Sequence, residues 1–341
     1  ALGNDELTYE KKHEFNFGVD AGFFNNRLNV TFDVYQRRNF DEIAPTVTQL
    51  YGTAYANVGS MKSWGEELSI SSTNVKTNDF SWQTSLIYSH NRTEITNLYN
   101  QGRVIDLVQG NGFAKQGYPA RALFSIPFVG INEKGNPVCI NEKGQATVGD
   151  LNFQERDNTD YLIYEGSTDP IYNGSLGNTF NYKGFHLNLF LTYAFGNVVR
   201  LDPVFKAKYN DLTSMTHDFK NRWMQPGDEN VTNVPGVVSR YEYEQNRTLL
   251  STAYNAYNYT SVRTAKGDFI RLKEISLAYD FPHRWLENSP VNNISLKLQA
   301  TNLMLLYADK KLNGQDPEFM NAGGVASPMP KQFTLTLKLG L

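Results

Sequence analysis

The chain has 341 residues, with 32 Lys and Arg set against 35 Asp and Glu for a formal charge of −3. That balance excludes a basic nucleic-acid footprint and an acidic tail. A single cysteine, Cys139, excludes an intrachain disulfide framework and reads as a loop thiol without a role. No run of about 20 apolar residues exists, so a helical membrane span is excluded too.

A mean hydropathy of −0.47 with 20 Tyr and 21 Phe remains compatible with a membrane barrel, whose strands need only about ten residues with every second one apolar. The chain starts Ala1-Leu2-Gly3-Asn4, with neither the charged nor the apolar region of an export signal. The expectation is that the polypeptide begins upstream or in another chain.

Period-2 alternation dominates from the start. Phe15, Phe17, Val19, Ala21 and Phe23 alternate with Glu14, Asn16, Gly18, Asp20 and Gly22; Asn25-Asn26-Arg27 then turns the chain into Leu28, Val30, Phe32 and Val34. Such a pair reads as a hairpin with one apolar face. Further strands are predicted at 64–70, 82–88, 176–182, 185–195, 269–281 and 294–302. The last, 333–341, places Phe333, Leu335, Leu337, Leu339 and Leu341 on one face and Thr334, Thr336, Lys338 and Gly340 on the other.

About nine crossings result. Their connections are short at 25–27, 74–79 and 183–184, moderate at 282–292, and long at 39–63, 94–173, 196–268 and 305–331. Short turns on one side and long loops on the other are the connectivity of outer-membrane barrels, and they point the last strand toward the periplasm. Trp82, Tyr88, Tyr193, Phe195, Tyr279 and Phe281 sit near strand ends, where interfacial girdles are expected. A soluble carbohydrate-binding β-sandwich is the competing reading. Nine strands do not close a large barrel, so both edges are expected to pair with strands supplied elsewhere.

Catalytic chemistry finds no foothold. His13, His90, His186, His217 and His283 show no metal-ligand spacing, no nucleophile elbow or phosphate loop occurs, and the neighbours Glu66 and Glu67 point to opposite faces of a strand. Neither a metal nor a cofactor is expected. The 196–268 loop is the candidate binding region: it gathers Trp223, Arg240, Tyr241, Tyr243, Arg247, Tyr254, Tyr257 and Tyr259. Aromatic faces with polar neighbours suit sugar rings or extended peptides; equally, they pack a long loop against a rim or a partner.

Several segments resemble the SusC-like TonB-dependent transporters of Gram-negative outer membranes. They include Asn4-Asp5-Glu6-Leu7-Thr8-Tyr9-Glu10-Lys11, Asn57-Val58-Gly59-Ser60-Met61, Trp64-Gly65-Glu66-Glu67-Leu68 and Asp79-Phe80-Ser81-Trp82. Gly166-Ser167-Thr168-Asp169-Pro170, Tyr182-Lys183-Gly184-Phe185, Arg222-Trp223 with Pro226-Gly227-Asp228, Asp268-Phe269-Ile270-Arg271-Leu272-Lys273, Thr301-Asn302-Leu303 and Gln315-Asp316-Pro317-Glu318 follow in the family's order.

The resemblance implies an all-β transmembrane antiparallel barrel of about 22 strands, of which 1–341 supplies the last nine or ten. It also implies import of oligosaccharides or peptides without covalent chemistry, a SusD-like surface lipoprotein as lid, an outer-membrane lipid environment, and drive from the TonB complex through a plug. The plug, TonB box and first strands have no counterpart here, so the chain is not expected to transport alone. The family usually ends on an aromatic residue, whereas this chain ends on Leu341. A passive porin would show the same strand pattern without plug or TonB box.

Overall fold

A computed structural model describes residues 6–48, 52–209, 212, 214–287, 290–320, 328 and 330–340. Asn4, Asp5 and Leu341, which figure in the reading above, lie outside them. Nine strands form one antiparallel sheet: β1 (Lys11–Phe23), β2 (Leu28–Thr48), β3 (Gly52–Lys76), β4 (Phe80–Leu98), β5 (Tyr172–Tyr182), β6 (Phe185–Phe195), β7 (Phe269–Asp280), β8 (Asn293–Ala308) and β9 (Gln332–Gly340). Each pairs with its neighbours in sequence, so the sheet is an up-and-down meander.

Register explains why alternation was visible. One row of cross-strand partners runs Ala21, Val30, Ile70, Leu86, Leu176, Leu191, Leu272, Met304 across eight strands. Another runs Trp82, Phe180, Leu187, Leu277, Leu298, Leu335. The opposite face carries Asn29, Ser71, Ser85, Thr179, Asn188, Ser276, Gln299 and Thr334, interrupted by Ile87 and Phe190. Phe17 is 54% exposed and Leu335 69% exposed on the apolar face. A sandwich would cover that face with a second sheet; hydrocarbon is the solvent that leaves it uncovered without penalty.

Aromatic rings bound the apolar band. At one end Trp82 stacks on Phe180 at 5.7 Å, and Phe185, Tyr279, Phe281 and Trp285 form a chain of ring contacts. At the other end Tyr88 lies near Tyr172, and Tyr193, Phe195 and Tyr307 follow. Along β6 the ten residue-to-residue steps from Phe185 to Phe195 cover about 33 Å, or about 25 Å of height at a ~40° tilt, the height of such a band.

Tight turns close one end of the sheet. Lys183 (φ 45°) and Gly184 (φ 87°) form a two-residue turn with both φ positive, the geometry that matches strand twist, and Phe24, Asn25 and Asn26 are likewise left-handed. At Gly174 the β5 backbone lies so close to Ile87 and to the Tyr193 ring that a Cβ would stand 2.6 Å from the Tyr193 hydroxyl oxygen. The ring thus occupies the missing side chain's space, and its hydroxyl donates to the Ile87 carbonyl at 3.2 Å.

Two loop expectations need correction. Residues 39–63 are not a long loop: β2 and β3 continue past the band and stay paired from Glu42–Gly59 to Thr48–Gly52. A bulge at Asp41 (φ 58°) displaces the register there, and Asn57 braces it by donating to the Asp41 carbonyl at 2.6 Å. Beyond the bilayer neither face must be apolar, so the period-2 signal vanishes while the ladder persists. The segments 94–173 and 196–268 read as separate loops in the sequence; the strands extend to Leu98 and from Tyr172, and the remaining 99–171 folds together with 196–268 into one lobe at the end opposite the tight turns.

Candidate functional site

The lobe, not the strand wall, holds the hydrophobic core. Val104, Leu107, Val108, Ala122, Phe124, Ile126, Cys139, Leu162 and Ala256 form one buried cluster, drawing on both long loops. Ala207, Leu250, Ala253 and Tyr254 form a second, and Val199, Leu201, Ala265 and Leu312 a third. The first loop enters through α1 (Val104–Val108), where Asp106 bonds both the backbone and the guanidinium of Arg103; this contact holds the Asp106 carboxyl below its usual range.

The second loop supplies α2 (Arg240–Gln245), capped by Ser239 Oγ accepting from the Glu242 amide at 3.2 Å, and α3 (Arg247–Asn258). On α3 the buried residues Leu250, Ala253, Tyr254 and Tyr257 follow i, i+3, i+4, i+7 spacing, one face of a helix.

Arg200 ties these segments together. It is buried at 4% exposure, and its guanidinium donates to the carbonyls of Val108, Thr260 and Phe124 and to Ser125 Oγ at 2.6–3.2 Å. Burial pulls its pKa down to about 10, so it stays cationic at neutral pH. A buried charge persists only when its donors are satisfied, and here the donors reach three separate segments of chain.

A tandem repeat shapes the outer part of the lobe. Asn132-Glu133-Lys134-Gly135 and Asn141-Glu142-Lys143-Gly144 fold into the same turn: each Asn Oδ1 accepts two amides, from Lys134 and Asn136 in one copy and from Lys143 and Gln145 in the other. The turns join the short strands Phe128–Ile131, Pro137–Ile140 and Ala146–Thr147. Nine-residue spacing of Ile-Asn-Glu-Lys-Gly was the available sequence signal for this sheet.

The structure disperses the aromatic set of the second loop. Tyr254 and Tyr257 are 1% and 2% exposed, so these two expected ligand-contacting rings are core residues; the Tyr254 hydroxyl donates to the Gly236 carbonyl at 2.5 Å, and burial raises both phenols. Trp223 lies against Gly135 and Gly236, with its indole nitrogen donating to Glu229 at 3.0 Å, which holds that carboxyl down. Tyr259 packs edge-on to Phe153 at 6.2 Å. Tyr243 is half-buried and meets Ser251 at 3.3 Å. Arg240, Arg247 and Tyr241 face outward, Tyr241 at 78% exposure, in a surface that also exposes Met224 and Val237.

Beneath the lobe, Arg271 on the polar face of β7 clasps Asp316 at 2.5–2.6 Å and Glu318 at 3.1 Å, fastening the β8–β9 loop to the wall. Among the described residues no group of His, Cys, Asp and Glu is arranged to hold a metal ion.

No family model matches the chain. Along 96% of its length it is 25% identical to the TonB-dependent receptor P39 of Formosa agariphila, covering 34% of that protein. Along 99% it is 26% identical to the TonB-dependent receptor SusC of Bacteroides thetaiotaomicron, covering 32%. The chain therefore spans about a third of the length of the curated relatives it matches. Among solved structures, the RagAB peptide importer in its closed-closed state superposes with a TM-score of 0.75 at 25% identity, over 99% of this chain and 36% of that one. In sequence along nearly its whole length and in fold, the chain is similar to the C-terminal part of the barrel of SusC-like TonB-dependent receptors.

Proposed function

We propose that this chain forms the C-terminal part of the wall, and an extracellular lobe, of a TonB-dependent outer-membrane importer that takes up oligosaccharides or peptides beneath a SusD-like lipoprotein lid. The observation carrying this reading is the pairing of a continuous apolar face with a polar one, topped by a folded lobe built only from the long loops. The apolar face meets lipid, the polar face lines the lumen, and the lobe projects outward, leaving the C-terminus in the periplasm. The outer edges of β1 and β9 carry no strand partner among the described residues; in a bilayer such edges need strands from the remainder of the transporter, which also supplies the plug that the TonB complex pulls. Within the aromatic loop Arg240, Tyr241 and Arg247 face outward, where lid or cargo would meet them.

Two measurements on the intact transporter test this: co-purification of a surface lipoprotein with the tagged barrel, and uptake of labelled oligosaccharide or peptide with and without TonB. Lipoprotein capture and TonB-dependent uptake are expected. TonB-independent uptake proportional to concentration would replace the importer with a passive porin.

A further inference from the structure

Trp64 on β3 and Arg92 on β4 are cross-strand partners, followed in the same unbroken register by Glu66 with His90, Leu68 with Tyr88, and Ile70 with Leu86. All therefore lie on the outward face. The apolar band ends at Tyr88, whose ring lies 6.3 Å from Tyr172 in the outer girdle. Arg92 stands four residues beyond, about 13 Å along the strand or about 10 Å of height at a ~40° tilt. The headgroups add roughly 5–8 Å on each side of the hydrocarbon, so the Arg92 backbone stands just above them, within the reach of a long arginine side chain snorkelling toward the phosphates.

A cavity of about 470 Å³ opens at this level, lined by Trp64, Arg92, Tyr164, Ser167 and Asp169 among others. The neighbouring carboxylates are already engaged: Glu94 by Lys62 at 2.9 Å, Asp169 by Arg121 at 2.6 Å, and Glu66 by the Tyr88 hydroxyl at 3.4 Å, with His90 beside it. Arg92 is exposed and has neither an ion pair nor a hydrogen bond among the described residues. An unpaired guanidinium beside an indole, at headgroup depth, offers forked donors matched to phosphate oxygens and an interfacial ring to pack on the lipid.

We infer that the Trp64–Arg92 cavity binds the phosphate of an outer-leaflet lipid headgroup. The inference rests on the barrel reading but not on any cargo. It is tested on the intact transporter in detergent, by native mass spectrometry with monophosphoryl lipid A and with the same lipid dephosphorylated. Arg92→Gln is expected to weaken retention of the phosphorylated lipid about ten-fold, the scale of one charge-assisted hydrogen bond, while Lys143→Gln in the lobe leaves it unchanged. Unaltered heat-resistant migration on gels shows that the Arg92→Gln barrel is intact. Equal retention by wild type and Arg92→Gln, or equal binding of the dephosphorylated lipid, overturns the inference. Displacement by equimolar inorganic phosphate assigns the cavity to a free anion and overturns the lipid source. A detergent-stable barrel that retains no lipid overturns this inference alone, whereas protein that stays monodisperse without detergent overturns the barrel reading as well.

Discussion

The outward row on β9 is Phe333, Leu335, Leu337 and Leu339, exposed at 54–70%. Leu337 and Leu335 are its central pair; Leu337 partners Leu296, and Thr336 partners Lys297 on the other face. The row spans about 20 Å along the strand, so Leu337 lies within about 3 Å of its centre. Arginine near the midplane of a barrel's lipid face costs roughly 2–4 kcal/mol, against about 0–1 kcal/mol at the interfaces. Leu337→Arg should therefore shift the folded-to-unfolded ratio by about thirty-fold to several hundred-fold. Thr336→Arg places the same charge one residue away toward the lumen, where water screens it, and should cost less than about 1 kcal/mol. Urea titration of the intact barrel in lipid bilayers, followed by heat-modifiable gel migration, reads both. Equal stabilities for the two variants would mean that β9 does not present its odd residues to lipid, and the row-by-row register across the sheet would fall with it.

Other expectations follow from the lobe and the strand joints. Gly174→Val forces a side chain into the Tyr193 ring and should lower stability by about 1–3 kcal/mol; an unchanged thermal midpoint would show that the ring can move aside. Arg200→Met strips four acceptors of their donor and should loosen the lobe by about 3–5 kcal/mol. Limited proteolysis should then cut within 99–171 and 196–268 while the barrel still assembles, and a protease-resistant lobe would contradict the hub role. Tyr241→Ala should weaken lid or cargo retention by up to about thirty-fold without altering lobe stability, whereas Tyr254→Ala should cost about 3–5 kcal/mol of packing; the reverse pattern in binding and proteolysis assays would exchange their roles. Cys139 is 1% exposed and its thiol is pushed up to about 12 by burial, so maleimide should label it only after unfolding. Its folded pKa is raised, so the stability it contributes is complete below the ordinary thiol range and is lost as pH climbs toward 12; rapid labelling of the native protein at pH 8 would place the thiol outside the core.

Legibility in the sequence followed the solvent. Where lipid meets one face and water the other, every second residue is constrained, and all nine strands of the wall were readable, from Phe15–Phe23 to Phe333–Leu339. Above the girdles that constraint lapses: β2 runs to Thr48 and β3 starts at Gly52, yet 39–63 reads as a loop because Arg37, Arg38 and Asn39 need not alternate with apolar residues in water. The lobe was legible in part. Leu250, Ala253, Tyr254 and Tyr257 show helical spacing, and the Asn-Glu-Lys-Gly repeat marks two like turns, but neither reveals that loops separated by β5 and β6 share one core. Tyrosine density in 196–268 does not tell which of its rings are buried, since a phenol that ends on a backbone carbonyl, as Tyr254 does on Gly236, and one that faces solvent, as Tyr241 does, are identical in composition.

The location of the core separates the stability of the two parts. A strand wall has no interior, so its free energy comes from its hydrogen-bonded ladders and from the cost of leaving any amide unpaired in hydrocarbon. The lobe instead depends on burial, with Phe124, Phe205, Leu250 and Tyr254 each 2% exposed or less. Its segments meet only because β4 with β5, and β6 with β7, hold the ends of both loops at fixed positions on the rim. That anchoring removes most of the entropy of closing loops of such length before any lobe contact forms. Assembly of the wall is therefore expected to precede folding of the lobe. The contacts of Arg200 with Val108, Phe124, Ser125 and Thr260 belong to that second step, so the outer surface of the lobe depends on a residue buried beneath it.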